Sequence, residues 1–224
     1  MGEAIGGMLS SAVGVAISPL PLIALILMLA SPRGRANGIA FTLGWMITLA
    51  VVGSLMLLID IAAHARGEDG PAAWVTWLEL GLGVLFAALA VQQWRSRPRP
   101  GQPATTPAWM ASLDSMTPGK AFRLAALLSG ANPMNLPLTV GAAAIIGGAT
   151  GSTGARVVAL ILFVLIASSS LLGTLGAYLL GGDRAAAALE GLKVWMTAHG
   201  AAVMTTVLAL LAVTYIGDAI GALR

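Results

Sequence analysis

The chain has 224 residues, of which 58% are hydrophobic and only 9% are charged, whereas ordinary soluble domains carry about 25% charged residues. This composition excludes a disordered chain and nearly excludes a soluble enzyme. The net charge of +3 does not indicate nucleic-acid binding, because the basic residues lie in short segments between apolar stretches. A bilayer is the expected solvent, with room for about six spanning helices of about 20 residues each.

Six apolar spans are predicted in chain order, at about residues 4–30, 38–59, 74–94, 119–146, 156–180 and 198–220. A Pro- and Arg-rich segment, residues 95–118, has the composition of a linker and separates a first half (1–94) from a second half (119–224). The predicted fold is all-α, a polytopic membrane protein that forms one integral membrane domain. Three spans per half give the halves opposite orientations, so the sequence predicts two inverted three-helix repeats.

The distribution of Lys and Arg predicts the orientation in the membrane. Nine of the 12 basic residues fall in the first loop, in and just after the linker, and in the segment between the fifth and sixth spans. Because cytoplasmic loops are rich in Lys and Arg, we expect a multi-pass protein of the plasma (inner) membrane with both termini extracytoplasmic. Arg33, Arg35, Lys120 and Arg123 lie beside the first and fourth spans, where contact with anionic lipid or recruitment of an anionic headgroup explains them.

Proline clusters interrupt the first and fourth spans near their middle. Each proline lacks an N–H, so carbonyls such as that of Val15 are predicted to lose their helical partner. Open backbone at this depth is tolerated only where it is buried in protein or lines a cavity. Matched interruptions in two inverted halves indicate the substrate site of a secondary transporter, although simple proline kinks are the alternative. The predicted site residues are Ser18, Pro19, Pro21, Asn132, Pro133, Asn135, Pro137 and Ser169.

The half-helices that follow the two proline clusters both begin near the middle of the membrane. Two positive helix ends would therefore converge there, and the site is predicted to prefer an anionic group. The serines at 168–170, in the middle of the fifth span, are interpreted mainly as packing residues that can also donate to a substrate. Four glycines are interpreted as close-packing positions between helices: Gly81, Gly83, Gly173 and Gly176.

Few residues in or near the spans carry ionisable chemistry. Glu79 and Asp218 are candidates for proton coupling, as acidic residues within membranes generally are. The chain has no cysteine, and its two histidines are far apart in the sequence. It has no GxSxG motif, no paired His and carboxylate on a helix face and no Walker loop. We therefore expect no enzyme activity, no metal site and no cofactor.

Two segments carry a resemblance to a known family. The first is Ile17-Ser-Pro-Leu-Pro-Leu with the following Ser31-Pro-Arg-Gly-Arg-Ala-Asn-Gly and Ala40-Phe-Thr-Leu-Gly-Trp; the second is Asn132-Pro-Met-Asn-Leu-Pro. The chain resembles the GAP/Sap family, membrane proteins named for addressing glycopeptidolipid or sulfolipid to the mycobacterial surface. Met134 stands where that family usually has Lys. The family is placed near the LysE-type exporters, which share broken first and fourth helices.

The resemblance implies an actinobacterial membrane protein that helps to export an envelope glycolipid. Three functions fit the sequence: a flippase that moves an anionic or glycosylated lipid by alternating access, a LysE-type exporter of a small solute such as an amino acid or ion, and a non-transporting subunit of a lipid-export machine. The expected partners are a membrane lipid or glycolipid and no nucleic acid, with a homodimer or a larger machinery left open. A lateral opening between helices would favour a lipid, and a closed polar cavity a small solute.

Overall fold

The computed structural model describes residues 2–64, 73–95, 116–132, 134–149 and 152–222. Every regular element in these ranges is an α-helix, which confirms the predicted all-α class. The helices are α1 (Gly2–Ala16), α2 (Pro19–Leu29), α3 (Gly34–His64), α4 (Ala73–Arg95), α5 (Pro118–Gly130), α6 (Asn135–Gly148), α7 (Thr153–Ala167), α8 (Ser169–Leu180) and α9 (Gly182–Ala222).

Two helices in the described part of the chain are long and apolar enough to cross a membrane. They are the stretches 34–59 of α3 and 198–221 of α9. The pairs α1–α2 and α7–α8 pass the same test together but are bent by 46° and 53°, so the count rises to four if each bent pair is one span. The length and apolarity of these helices support a membrane protein, and the arrangement of six spans stays a prediction.

The last helix is longer than the sequence predicts. It begins at Gly182 and runs for 41 residues, whereas the sixth span was expected to begin near residue 198. Residues 185–188 are four consecutive alanines, and alanine is the best helix former. A short run of strong helix formers therefore carries the helix through a segment that the polarity pattern identifies as a loop.

The largest helix interfaces join the first half of the chain to the second. Helix α4 packs mainly on α9, α3 packs on α5 and α6, and α1 packs on α6 and α7. The core between them is aromatic and aliphatic, with Trp45, Phe41, Phe86 and Phe163 all at least 98% buried. Phe86 of α4 meets Tyr215 of α9 edge to face with ring centroids 5.4 Å apart.

Close contacts at glycines give the relative directions of the helices. On α1, Gly7 faces Ile145 and Gly14 faces Leu138, so α1 and α6 are antiparallel. On α3, Gly44 lies against Phe122, and Thr48 contacts Gly130. Residue numbers on α3 and α5 rise together along this interface, so these two helices run in the same direction.

Helix α3 runs opposite to the bent pair α7–α8. Gly38 faces Leu175 of α8, and Gly53 faces Leu160 of α7. The first residues of α3 and α5 therefore lie at one end of the molecule, joined there by a hydrogen bond from Asn37 Nδ2 to the Met116 carbonyl at 3.2 Å. We call this end, at which α3 and α5 begin, the basic end.

The interruptions in the helices lie well inside the molecule. Helix α2 has 11 residues and α5 has 13, which correspond to lengths of about 16 and 20 Å at a rise of 1.5 Å per residue. Since half of a bilayer's hydrocarbon layer is about 15 Å, breaks at this distance from the basic end fit the middle of a membrane.

The four glycines predicted to pack closely differ in their surroundings. A Cβ atom at Gly83 would lie 2.6 Å from Ile216 of α9, which confirms the prediction for that residue. At Gly81, Gly173 and Gly176 a Cβ would meet nothing within 4 Å, so the prediction is wrong there. Composition does not reveal which side of a helix faces a neighbour.

Candidate functional site

The first helix break lies at Ile17 and Ser18, between α1 and α2. Pro19 is the first residue of α2, where its missing N–H breaks no helical bond. Ser18 is buried, and its N–H donates to the Val15 carbonyl at 3.2 Å. The expectation that the Val15 carbonyl loses its partner is therefore wrong, because the last turn of α1 tightens and supplies one.

The second break lies between α5 and α6, and asparagine side chains close it. Asn132 Oδ1 accepts a hydrogen bond from the Met134 N–H at 2.9 Å, and its carbonyl accepts from the N–H groups of Asn135 and Leu136. Asn135 Nδ2 donates to the Leu128 carbonyl at 3.0 Å. Both predicted asparagines thus replace backbone bonds lost at the break. Pro137 is buried in the first turn of α6, and Pro133 lies outside the described residues.

These bonds change the electrostatics expected at the start of α6. The N–H groups of residues 134, 135 and 136 are already bonded within the break, and residue 137 is a proline. An anion at a helix N-terminus is held mainly by free N–H groups. The N–H groups on which the predicted anion site depends are therefore already bonded at the start of α6.

A third break, which the sequence analysis did not predict, lies at Ser168 between α7 and α8. The expected continuous fifth span is bent there by 53°. Ser170 donates a hydrogen bond to the Ala16 carbonyl at the end of α1. Ser168 is fully buried and Ser169, the predicted site residue, is exposed. Serine hydroxyls compete with helical hydrogen bonding, so the serine run was the available signal for this break.

The three breaks meet inside the protein. The Ser170–Ala16 hydrogen bond joins the third break to the first. Gly14, one turn before the first break, faces Leu138 in the first turn of α6, which brings the second break to the same region. On the other side, Pro19 packs against Gly200 of α9, where a Cβ would lie 2.8 Å from the proline ring.

Polar atoms remain unsatisfied within this region. Asn135 Oδ1, Ser168 Oγ and the Trp45 indole Nε1 are buried and have no hydrogen-bond partner in the protein. Buried polar atoms without partners are rare in folded proteins and require an explanation. Trp45 falls within the second predicted span, residues 38–59, but it was not predicted as a site residue.

The four predicted basic residues lie at the basic end. Arg33, Arg35, Lys120 and Arg123 are all exposed. Neither α3 nor α5 has an acidic residue in its first turn, so the positive ends of two parallel helices add to these four charges. The basic end therefore carries a concentrated positive potential that attracts anions.

Of the two proposed coupling residues, Asp218 lies far from the first break. Asp218 is exposed on α9, 18 residues beyond Gly200 and so about 27 Å from the contact with Pro19. Glu79 lies on α4, but its side chain is outside the described residues.

Two apolar grooves open on the molecular surface away from the basic end. The α3–α7 groove has a volume of about 380 Å³ and is lined by Ala50, Ser54, Leu57, Leu58, Thr153, Val157, Leu160, Ile161 and Val164. The α1–α9 groove has a volume of about 420 Å³ and is lined by Leu9, Ser10, Val13, Gly14, Val207, Leu210, Leu211 and Thr214. Both include exposed aliphatic side chains such as Leu58 and Leu210, so both are apolar and open on the side of the helix bundle.

Apolar helices whose interruptions meet inside the protein define the class as a helical membrane protein built around broken helices. Residues 8–221 match a family model described as Sap, sulfolipid-1-addressing protein. The chain belongs to this family, which implies a role in the export or localisation of an envelope lipid. The match does not extend to the LysE-type exporters, whose relationship stays a prediction. No curated protein and no solved structure matches the chain.

Proposed function

We propose that the protein carries an anionic or glycosylated envelope lipid across the plasma membrane by alternating access around the three helix breaks. The meeting of the breaks inside the protein carries this proposal, because interrupted helices at membrane depth are the usual setting of a transporter's substrate site. The protein acts as a carrier and not as an enzyme, so the lipid leaves chemically unchanged.

The directions of the helices support an inverted arrangement. Helix α1 is antiparallel to α6, and α3 is parallel to α5 but antiparallel to α7–α8. The first two predicted spans of one half thus run opposite to the first two predicted spans of the other half, as two inverted repeats require. In this arrangement the basic end is cytoplasmic and both termini are extracytoplasmic, and we propose the same plan as in LysE-type exporters.

The surfaces of the protein fit an amphiphilic substrate. Arg33, Arg35, Lys120 and Arg123 would collect an anionic headgroup from the inner leaflet, because each cation near the surface contributes about 1 kcal/mol. The apolar grooves beside α3 and α1 would hold the hydrocarbon chains outside the helix bundle. A lateral, apolar opening favours a lipid over the small solute of the alternative function.

A reconstituted assay tests the proposal. Purified protein in vesicles is given a fluorescent sulfated glycolipid, and its movement between leaflets is followed by chemical quenching of the outer leaflet. We expect flipping by the wild type and a loss of at least about tenfold in Pro19→Ala and Asn132→Ala, because both substitutions alter the backbone of a break.

Two control variants match these changes outside the breaks. Pro32→Ala alters an exposed proline in the loop before α3, and Gln92→Ala removes an exposed amide on α4; both should flip lipid at the wild-type rate. Flipping that is unchanged in Pro19→Ala and Asn132→Ala would refute a site at the breaks. An absence of flipping by the wild type would instead favour an accessory subunit.

A further inference from the structure

Three buried polar atoms near the helix breaks lack partners, and they differ in chemistry. The Trp45 indole Nε1–H only donates a hydrogen bond, Asn135 Oδ1 only accepts one, and Ser168 Oγ can do both. Their side chains are 1%, 0% and 0% exposed. A fold that buries a donor, an acceptor and a hydroxyl without pairing them indicates that another molecule completes the set.

The contacts of α3 place two of these atoms at one depth. Gly38 and Gly53 are 15 residues apart on α3. The residues that they face, Leu175 of α8 and Leu160 of α7, are also 15 residues apart. About halfway between these contacts, Trp45 on α3 is level with Ser168 at the third break.

The second break lies close to the same level. Thr48, one turn beyond Trp45 on α3, contacts Gly130 at the end of α5. Asn135 begins the helix that follows, and its amide is bonded back to Leu128 of α5. Helices α3 and α6 also pack on each other, and Asn135 is fully buried.

The region lacks fixed charge. None of the buried residues in the described part of the chain is an Asp, Glu, Lys, Arg or His, and the first N–H groups of α6 are already bonded. A sulfate, phosphate or carboxylate only accepts hydrogen bonds when ionised, so it would leave Asn135 Oδ1 unpaired and facing negative charge. An ammonium group only donates and would leave the Trp45 N–H unpaired. A hydroxyl group donates and accepts, so it satisfies both.

We propose that Trp45, Asn135 and Ser168 form a binding site for an uncharged, hydroxyl-bearing headgroup such as a sugar. That the headgroup belongs to a lipid rests on the proposed function. Two parts of the substrate then bind at different places on the protein. An ionised group on the lipid binds at the basic end, whereas sugar hydroxyls bind between the breaks. The core site therefore selects hydroxyls and not charge, contrary to the anionic preference that the sequence predicts.

Equilibrium binding tests this site without requiring transport. The full chain is placed in phosphatidylcholine nanodiscs and titrated with three probes: diacylglycerol bearing glucose, the same lipid with every sugar hydroxyl methylated, and phosphatidylmethanol, which is anionic but has no hydroxyl in its headgroup. The glucosyl lipid should bind at least about fivefold more tightly than the methylated lipid, since one hydrogen bond is worth roughly this factor. A photoreactive group on the sugar should label α3, α6 or α8.

Trp45→Phe and Ser168→Ala remove one unpaired atom each. Ser168→Ala leaves the shape of the core nearly unchanged, whereas Trp45→Phe also leaves a small cavity. Each should weaken binding of the glucosyl lipid about fivefold, and the methylated lipid should bind both variants as it binds the wild type. Ser168→Ala should weaken glucosyl-lipid binding without lowering the Tm, whereas the cavity in Trp45→Phe lowers it. The matched controls are Trp195→Phe and Thr206→Val, which alter exposed residues of α9 and should leave all affinities unchanged.

Equal affinities of the wild type for the glucosyl and methylated lipids would overturn the proposal. A loss of phosphatidylmethanol affinity of about fivefold in Ser168→Ala would also overturn it, because that headgroup has charge but no hydroxyl. The result separates this inference from the proposed function. Sugar-dependent binding by a wild type that flips no lipid would support the site and refute the transporter. Flipping without any dependence on the sugar hydroxyls would refute the site and leave the transporter standing.

Discussion

At the scale of single residues, the breaks show that a polar side chain can support the backbone and still present an unsatisfied atom. Asn135 uses its amide N–H to replace a lost helical bond to Leu128, and its carbonyl oxygen remains unpaired. Ser168 bends α7–α8 while its hydroxyl makes no bond. These two residues should therefore respond differently to truncation.

We expect Asn135→Ala to lower the free energy of unfolding by about 1–3 kcal/mol, because it leaves the buried Leu128 carbonyl without its partner. Ser168→Ala should leave stability unchanged or raise it by up to about 1 kcal/mol, because it removes a buried group whose desolvation is not compensated. Thermal unfolding of both variants in the same detergent measures the difference. A larger loss in Ser168→Ala than in Asn135→Ala would show that the Ser168 hydroxyl is satisfied within the protein.

The two asparagines and the prolines could be selected from the sequence because their chemistry is local. A proline interrupts helical bonding wherever it occurs in a helix interior, and an asparagine commonly closes such an interruption. Trp45 and Ser168 could not be selected in the same way. Whether an indole N–H or a hydroxyl has a partner depends on which residues of distant helices reach it.

At the scale of the helices, close approach decides which glycines matter. A Cβ at Gly44 would lie 2.6 Å from the Phe122 carbonyl oxygen, and that oxygen belongs to a backbone that cannot move aside cheaply. At Gly81 a Cβ would meet nothing within 4 Å. The interface between α3 and α5 thus depends on glycine, whereas that position on α4 does not.

Gly44→Ala should therefore destabilise the protein by about 1–3 kcal/mol through overpacking between α3 and α5. Gly81→Ala is the matched control and should be neutral or stabilising by up to about 1 kcal/mol, since alanine favours helix more than glycine does. The Tm of each purified variant tests the pair. A wild-type Tm for Gly44→Ala would mean that the two helices are farther apart than described.

At the scale of the whole molecule, the parallel contact between α3 and α5 brings the basic residues of both halves to one end. The distribution of Lys and Arg along the chain predicts that this end is cytoplasmic. Because α3 and α5 both begin there, the prediction can be tested at two positions that lie far apart in sequence. The start of α7 lies at the other end, because α7 is antiparallel to α3.

Single cysteines test this topology cleanly, since the chain has none of its own. We expect Arg35→Cys and Lys120→Cys to react with a membrane-impermeant maleimide only after the cells are permeabilised, whereas Gly154→Cys should react in intact cells. All three positions are exposed, so burial does not limit the reaction. Labelling of Arg35→Cys and Lys120→Cys from opposite sides would contradict the inverted arrangement.

The sequence by itself determined that the protein is an all-helical membrane protein and that its basic residues are unequally distributed between the loops. It also determined the first two helix breaks and the family. Each of these follows from composition or from a short segment, because apolarity, proline chemistry and charge act locally. Only the tertiary structure decided that a third break at Ser168 meets the first, that the donors at the start of α6 are already used, and that α3 and α5 run in parallel. These features arise from contacts between helices far apart in the chain, and the polar atoms left unpaired among them define what the core can bind.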